Sequence, residues 1–542
     1  MISAGMIFVA VAGNADYVRS TSAGGGGGAS GSMGQVPHRQ IAHRQIAHQQ
    51  IGGGWRALPP SFWLLLALAA GLRIAVFDLY ATHHPDEALQ YVEQAHRLVF
   101  GYGVVPWEFR YDIRSWLIPL LVAGPMQLGA WIDPHGAGYL IVPRVIIAMI
   151  NFSPVIAAWY LGARVSRQHA IVAMAVTALW VESVYFSVQL LSESMAVACF
   201  LPAAAMLRTG ALGPRMRTIV LAGMLLAFAG LLRFPCVPAI GVFAALTAGR
   251  DRRMWQGLLI GAIPVIVGGG VIDLAMGQLP YQWILNNYRM NIDSGWMARF
   301  GGMGPWVYLA EMGRHLPVVS ALIATASLFA GRRFRPLLIA AWVNILIHQM
   351  IGHKEWRFLW LSIQILLILA AIGAVNLTRI SLFGRRLRRP RGWVTTGVLL
   401  VLFGGASMAI AAGPYFRHEW RRDGGPSRLA ARAVRDPGVC GLAVNREQNT
   451  DFGYGFVHRP IPLILLAKVA LPSLSQPGAT AEGFNAMLIN DGLGAPTGFV
   501  SRRDCAGAGK NRVCLYTRPG GCRTNATSRR FEYQTVLVRS QL

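Results

Sequence analysis

Charged residues are scarce in this chain of 542 residues: Asp, Glu, Lys and Arg together make up 14% of it, and only 24 residues are acidic. A soluble fold of this length needs a more polar surface, so the composition excludes an ordinary soluble enzyme. Hydrophobic residues make up 54% of the chain, and its mean hydropathy is positive. The sequence therefore predicts an integral membrane protein.

Several functional motifs are also missing. The chain contains no Walker loop and no dinucleotide-binding glycine fingerprint, so ATP-driven transport and a Rossmann domain for nucleotide sugars lack support. The 6 cysteines include no CxxC pair, so the sequence gives little support for a zinc site. The apolar stretch 1–13 lacks a basic leader, so a secretory signal peptide is not expected and Met33 is an alternative start.

Apolar runs recur along most of the chain, and a helix needs roughly 20 residues to cross the hydrocarbon core. The run at 218–249 contains Arg233 and two prolines, so it is either two spans or one broken helix or re-entrant pair. We predict an all-α polytopic membrane protein, a helical bundle of about eleven spans: 60–80, 139–163, 170–188, 190–207, 218–233, 235–249, 255–275, 306–330, 336–351, 357–377 and 393–412.

Arginine residues follow every second predicted span, as in the stretches 164–167, 208–217, 250–253, 332–335 and 379–391. Because basic residues stay on the cytoplasmic side, this pattern places the N-terminus inside. The loops 81–138, 276–305 and 352–356 and the C-terminal tail then lie outside. The basic loops explain much of the +26 formal charge, so nucleic-acid binding is not predicted.

Composition divides the chain into three regions. Residues 1–55 contain a glycine run and HRQIA repeats, and we predict that they are disordered. Residues 56–412 form the transmembrane region. Residues 413–542 are more polar, with strand-like runs such as 531–538, and form a small outer domain or an irregular tail. The preference for Arg over Lys indicates a GC-rich genome and a bacterial inner membrane; in a eukaryote the location would be the ER membrane.

Four of the six cysteines lie in the C-terminal region, which fits disulfides in an oxidising compartment, although spacing does not reveal their pairing. They are Cys440, Cys505, Cys514 and Cys522. Cys199 and Cys236 fall in predicted spans and are expected to be core thiols.

The first outer loop concentrates the scarce acidic residues, with Asp86, Glu87, Glu93, Glu108 and Asp112 among Tyr, Trp and Phe. An acidic loop can serve solubility alone, but this mixture beside a bilayer is typical of a substrate cleft. The preceding proline suits the first turn of a helix, which places the first two carboxylates at its positive end. Helical spacing then predicts one polar face on an outer amphipathic helix, made by Asp86, Gln90, Glu93 and Arg97.

Two motifs, one after the other in the chain, resemble those of the Alg9-like mannosyltransferases, which are glycosyltransferase family 22 of the GT-C superfamily. The first motif comprises His84-Pro85-Asp86-Glu87, Gln90-Tyr91, Gly101-Tyr102-Gly103, Trp107-Glu108-Phe109-Arg110 and Ile113-Arg114-Ser115. The second motif is His353-Lys354-Glu355-Trp356-Arg357-Phe358-Leu359, which is similar to the family's HKE-x-RF element. The resemblance covers roughly 60–375.

The resemblance implies transfer of mannose, with inversion, from a polyprenyl- or dolichyl-phosphate carrier to a hydroxyl of an outer-face glycan or glycolipid. Such a transfer needs a carboxylate that accepts the proton of the hydroxyl. Asp86 is the first choice and Glu87 the second. Cationic groups must stabilise the departing phosphate. The predicted substrate-binding residues are His84, Gln90, Glu108, Arg110, Arg114, Arg233, His353, Lys354, Glu355 and Arg357.

Other readings stay open. Lys354 and Arg357 lie where a span leaves the membrane, so snorkelling to the interface would also explain them, and Glu355 would then pair with one of them. No metal is required, although Asp86 and Glu87 could together hold a divalent cation. The partners expected are the lipid-phosphate sugar, the acceptor and membrane lipids. The alternative functions are transfer of arabinose, aminoarabinose or glucose from a similar carrier, and a lipid or sugar transporter or flippase.

Overall fold

The computed structural model describes residues 58–207, 213–296, 303–310, 317–379, 392–414, 416, 424–445, 453–466, 480–493, 497–507, 512–523 and 526–539. The predicted disordered segment 1–55 lies outside these residues, as do most of the basic residues predicted between the tenth and eleventh spans.

Each of the eleven predicted spans overlaps a described helix. Four helices are long and apolar enough to cross a membrane: Gly138–Ala163, which has a turn at 151–152, Arg252–Ala275, Trp356–Leu377 and Gly392–Ala412. A fifth span is possible if Arg167–Leu179 and Val181–Ser187, which meet at a bend of 62°, cross together. The other predicted spans contain shorter helices: Pro60–Val76, Ser192–Leu207, Met216–Leu232, Val237–Ala248, Pro317–Leu328 and Arg335–Met350. The number of crossings stays a prediction.

The predicted outer loop 81–138 contains an apolar helix that we did not expect, Leu117–Ile132. It packs against Glu93–Phe100 and Gly138–Ile150, and its last turn exposes Trp131 and Ile132. Its sixteen residues fall short of the length that a span requires. The loop is therefore largely helical, with Trp107–Arg110 as a further single turn.

Small residues let two helices of the bundle approach closely. Met216–Leu232 packs against Arg252–Ala275, and a Cβ at Gly223 would lie 2.3 Å from the backbone oxygen of Leu258. A Cβ at Gly261 would overlap the backbone oxygen of Val220 in the same way. Between apolar helices in a membrane, such close packing supplies much of the attraction.

Several polar contacts gather at the end of the bundle that carries the basic loops. The Arg333 guanidinium donates to the backbone oxygen of Arg164 at 2.6 Å, and Arg379 donates to the Gln168 side chain at 3.0 Å. Residues from three predicted basic loops therefore lie on one side of the bundle.

The described part of the C-terminal region forms a mixed sheet of five strands: β1 Leu442–Asn445, β2 Leu463–Leu466, β3 Ala486–Asn490, β4 Val500–Ala506 and β5 Val513–Thr517. The strand order is β2-β1-β3-β5-β4. β1 is parallel to both β2 and β3, whereas β5 is antiparallel to both β3 and β4. A short helix, Gly425–Ala433, packs on the sheet.

Disulfides join Cys440 to Cys522 and Cys505 to Cys514, which settles a pairing that spacing left open. Cys199 and Cys236 are buried and free, as expected for core thiols. The strand predicted at 531–538 is wrong, because Tyr533–Arg539 is a helix. Its buried residues, Tyr533 and Leu537, are four apart and face the sheet's core, a spacing that suits a helix and not a strand.

The C-terminal region is attached to the first outer loop by buried polar contacts. The Glu93 carboxylate accepts from the amide of Val104 at 2.7 Å and from the amide of Gly455 at 2.7 Å. Gln534 exchanges two hydrogen bonds with the backbone of Val105. The loop therefore lies between the helical bundle and the sheet, and both contribute to its conformation.

Candidate functional site

The HPDE segment begins a helix at Pro85, as predicted, but residues Glu87–Val92 take a π-helical turn before the regular helix Glu93–Phe100. The wider turn changes which side chains share a face. The Gln90 amide still reaches Asp86, at 2.8 Å, whereas Glu93 faces the C-terminal region. The predicted single polar face is thus divided, and π-turns of this kind are frequent at functional sites.

Asp86 lies against the second motif. The Arg357 guanidinium donates to its carboxylate at 2.8 Å, and His84 Nδ1 lies 3.1 Å from its other oxygen. Burial acts to raise the pKa of Asp86, but Arg357, His84 and Arg114 together hold that pKa well below its usual value. The carboxylate is therefore ionised at neutral pH, and its side chain keeps 15% exposure.

Glu355 lies on the other side of the same guanidinium. Its carboxylate accepts from Arg357 Nε at 2.5 Å and from His353 Nε2 at 2.7 Å. Burial opposes ionisation, yet these two partners lower the pKa of Glu355. Tyr308 holds the Glu355 backbone, donating to its carbonyl at 2.9 Å and accepting from its amide at 3.1 Å. Glu355 and its neighbours therefore fix Arg357 in position.

A second arginine joins this group from the break between two helices. Arg233 lies 3.3 Å from the Glu193 carboxylate, and Arg357 lies 3.5 Å from the same oxygen. The Phe358 ring has Arg233 at 4.6 Å and Arg357 at 5.2 Å from its centroid. The break at Arg233, with Met216–Leu232 before it and Phe234–Cys236 after it, brings this side chain to the site.

Glu193 lies at this site but is not among the predicted substrate-binding residues, although the sequence shows it as a charge within a predicted span. An acid within the apolar helix Ser192–Leu207 is costly to bury without a partner or a cavity, which is the signal that points to it. Asp86, Glu193 and Glu355 supply three carboxylates around Arg357 and Arg233, which gives a dense, alternating charge cluster.

Glu108 extends the cluster on the side of the first motif. The Gln90 amide donates to Glu108 at 2.8 Å and to Asp86 at 2.8 Å, so it bridges the two carboxyl groups. Burial raises the pKa of Glu108 to about 7, although Arg114 acts to lower it. Arg114 also acts on Asp86, which places it near both acids.

Glu87 occupies a different environment. Its carboxylate is fully buried and accepts from the amides of His83 at 2.6 Å and Leu190 at 2.8 Å. Burial raises its pKa, against the opposing charge of Arg144 and the two amides. This geometry favours a structural carboxylate that joins the loop to the bundle over the alternative catalytic base.

Two predicted ligand residues turn toward backbone carbonyls. The buried Lys354 ammonium donates to the carbonyls of Gln349, at 3.0 Å, and Ile351, at the end of the helix Arg335–Met350. Arg110 donates to the carbonyl of Leu537 at 3.1 Å, in the C-terminal helix. The structure therefore groups these predicted residues with Asp86: His84, Gln90, Glu108, Arg114, Arg233, His353, Glu355 and Arg357.

Within the described ranges, a cluster of three metal-ligating side chains at suitable distances occurs at Asp491, Cys505 and Cys514 alone. Its two cysteines form a disulfide, so they have no thiolate to offer a metal. Of the two acids considered as a cation site, Asp86 accepts from Arg357 and Glu87 accepts from the amide of Leu190.

The fold is similar to that of a solved crystal structure. ArnT from Cupriavidus metallidurans, in a crystal structure bound to undecaprenyl phosphate, aligns with a TM-score of 0.52 at 11% identity. The alignment covers 86% of this chain and 100% of that one. At this identity the likeness shows the fold alone.

Sequence comparison finds relatives among GPI mannosyltransferases. GPI mannosyltransferase 3 of Drosophila melanogaster is 26% identical over 338 residues, which cover 54% of this chain and 53% of that protein. GPI alpha-1,2-mannosyltransferase 3 of Mus musculus is 26% identical over 314 residues, covering 55% and 56%. The chain thus spans little more than half the length of these relatives.

The family model of the Alg9-like mannosyltransferases matches residues 62–418. That range includes both motifs and all the residues that surround Arg357. It ends before the described C-terminal sheet. The chain's helices that are long and apolar enough to cross a membrane indicate an integral membrane protein. The chain belongs to the Alg9-like mannosyltransferase family.

Proposed function

We propose that the protein transfers mannose from a polyprenyl- or dolichyl-phosphate carrier to a hydroxyl of an outer-face glycan or glycolipid, with inversion at the anomeric carbon. The observation that carries the proposal is the contact of Asp86 with Arg357, which joins the two motifs in one charged, partly accessible cluster. Family membership and the relatives' names support mannose as the sugar.

In this proposal Asp86 accepts the proton of the acceptor hydroxyl as the new glycosidic bond forms. Arg357 lowers the proton affinity of Asp86 in the empty site. A donor phosphate that binds Arg357 would weaken that effect, because its negative charge disfavours the ionised carboxylate nearby. Donor binding would therefore make Asp86 a stronger base when one is needed.

Arg357, Arg233 and Arg114 are the groups that would stabilise the charge on the departing lipid phosphate. Arg357 is buried and Arg233 is half-buried near the break between helices, where a lipid carrier could enter from the side of the bundle. The solved ArnT structure holds undecaprenyl phosphate, which supports a lipid-phosphate donor for this fold. No metal is part of the proposed mechanism.

We also propose that the cluster faces the outer side of a bacterial inner membrane, with the N-terminus in the cytoplasm and about eleven crossings. The contact of Arg333 with Arg164 supports this orientation, because it groups basic loops at one end of the bundle. The C-terminal sheet would then lie outside, where its two disulfides would be stable.

The decisive experiment is transfer of radiolabelled mannose from synthetic polyprenyl-phosphate-mannose, with the purified protein in lipid and cell-envelope lipid extract as acceptor. We expect labelled product from the unaltered protein and a loss of about 10²- to 10⁴-fold in Asp86→Asn. Asp504→Asn, a change at a surface carboxylate of the sheet, serves as the matched control.

No product from the folded protein with a panel of acceptors would contradict the choice of mannose. The same assay with polyprenyl-phosphate arabinose, aminoarabinose and glucose then tests the second candidate, transfer of another sugar. Full activity in Asp86→Asn would contradict the choice of base, whichever sugar is carried.

A further inference from the structure

A second concave site lies between the helical region and the C-terminal region. It is a cleft of about 350 Å³, within the range of small-molecule sites. Helical residues and C-terminal residues line it together, and Asp86 and Arg357 are not among them. The family match ends at residue 418, so one wall of the cleft lies outside the matched region.

Aromatic rings form much of this cleft. Tyr139 and His458 stack with centroids 4.1 Å apart and their planes inclined by 21°. Tyr80 and Phe456 lie 6.3 Å apart, and the Tyr139 hydroxyl donates to the Phe456 carbonyl at 3.3 Å. Tyr139 and Phe456 are buried behind this wall, and the partly exposed rings of Tyr80 and His458 are the ones that can meet the apolar face of a sugar ring.

The position of His458 is fixed from several sides. Its backbone takes the left-handed conformation, with φ of 49°, which is unusual for a residue other than glycine. Its ring accepts or donates a hydrogen bond with His96 at 3.0 Å, and Phe100 packs at 4.4 Å from it. Local strain held by such surroundings is a feature of binding sites.

Two arginines line the same cleft but differ in their partners. The Arg459 guanidinium is occupied by the carbonyls of Val434, at 2.8 Å, and Asp436, at 2.9 Å. Arg435 is exposed at the cleft, and none of the described residues forms a hydrogen bond or ion pair with its guanidinium. A guanidinium in that state suits a carboxylate or a phosphate of a ligand.

The cleft is also close to the proposed reaction site. Tyr80 lines the cleft and His84 contacts Asp86. The two residues are four positions apart in the chain, a reach of at most about 14 Å. An extended saccharide can cover such a distance.

We propose that this cleft binds a carbohydrate segment that carries an acidic group, with its ring on the aromatic wall and its anion on Arg435. The ligand would be the part of the acceptor that lies away from the reacting hydroxyl. The inference rests on the proposed function for that role, but binding itself does not depend on the donor. A uronic acid residue or a sugar phosphate would supply the anion.

The test is saturation-transfer NMR of ligand binding to the full-length protein. The protein is placed in nanodiscs of neutral lipid, and no donor is added. The probes are mannose 6-phosphate, glucuronic acid and, as the neutral comparison, mannose. We expect at least one acidic probe to bind more tightly than mannose. The acidic probe that binds more tightly shows whether a phosphate or a carboxylate supplies the anion.

Arg435→Gln should weaken binding of that probe about tenfold or more, which corresponds to about 1.4 kcal/mol. Arg432→Gln is the matched control, because this exposed arginine of the same segment pairs with Asp504 at 3.2 Å and does not line the cleft. Equal weakening in both variants would show diffuse attraction by positive charge and overturn the proposal. So would equal binding of acidic and neutral probes, or binding of none.

The outcome is distinct from that of the transfer assay. An absence of mannose transfer with intact acidic-sugar binding would contradict the proposed function and leave the cleft as a binding site. Mannose transfer without binding of any probe would support the proposed function and contradict the proposal that the cleft binds the acceptor.

Discussion

Arg357 and Asp86 are 271 residues apart in the chain, yet the guanidinium of the first donates to the carboxylate of the second at 2.8 Å. The same guanidinium contacts Glu355 and Glu193. A single buried cation therefore connects the HPDE segment, the HKEWRF segment and an apolar helix. The organisation of the candidate site depends on that one side chain.

Arg357→Gln should destabilise the protein by about 3–5 kcal/mol, because the buried Glu193 and the partly buried Asp86 and Glu355 lose the cation that they share. Thermal unfolding in detergent would measure this as a large fall in Tm. The double variant with Glu193→Gln removes one of those charges, so it should recover part of the stability and none of the transferase activity. A single variant as stable as the unaltered protein would show that the cluster contributes nothing to folding.

Glu87→Gln should lower stability and leave the donor KM of the surviving protein unchanged. The amide can no longer accept from both His83 and Leu190, and one unsatisfied buried group costs about 1–3 kcal/mol. The measurement combines thermal unfolding with steady-state transfer. Loss of activity in a fully stable variant would instead assign Glu87 a catalytic role.

Glu108 should make the transfer pH-dependent, because burial raises the pKa of this carboxyl to about 7. Below that pH the group is neutral, and above it a further negative charge lies near Asp86 and the proposed phosphate site. We expect kcat/KM for the donor to fall as pH rises through about 7, chiefly through KM. Glu108→Gln should keep the low-pH value at higher pH, and an unchanged profile would exclude Glu108 as the cause.

The Cys440–Cys522 disulfide should stabilise the C-terminal region more than Cys505–Cys514 does, since it closes a loop with a separation of 82 residues instead of 9. Replacing the first pair by serine should cost about 2–5 kcal/mol. Limited proteolysis of the paired serine variants, with and without reductant, measures the difference. Equal sensitivity of the two variants would contradict the loop-length argument.

The principal acids and bases of the site could be predicted because they stand out chemically from an apolar chain. Asp86 and Arg357 each belong to a short polar segment between long apolar runs. Composition alone is enough to identify such segments as candidate sites. Their pairing could not be predicted, since no local pattern indicates which carboxylate a given guanidinium meets. Glu193 was left out of the predicted substrate-binding residues for that reason: its partners, Arg233 and Arg357, lie far away in sequence.

Other differences have local physical causes. The sequence predicts Lys354 as a phosphate ligand. Its ammonium instead donates hydrogen bonds to backbone carbonyls at the end of the preceding helix, which have no partner within that helix. The helix Leu117–Ile132 was missed because it is apolar yet too short to span. The segment 533–539 has alternating residues of high strand propensity, but Tyr533 and Leu537 pack into the sheet's core, and that packing decides for a helix.

The attachment of Gln534 to Val105, and of Leu537 to Arg110, has a consequence for biosynthesis. The loop that carries Asp86 leaves the ribosome early, whereas the residues that hold its far side are made more than four hundred positions later. In the proposed orientation this loop is delivered across the membrane during translation, and its backbone groups bind water until those later residues are made. The site would therefore reach its final shape only after most of the protein has been made, so an interrupted chain would be inserted but inactive.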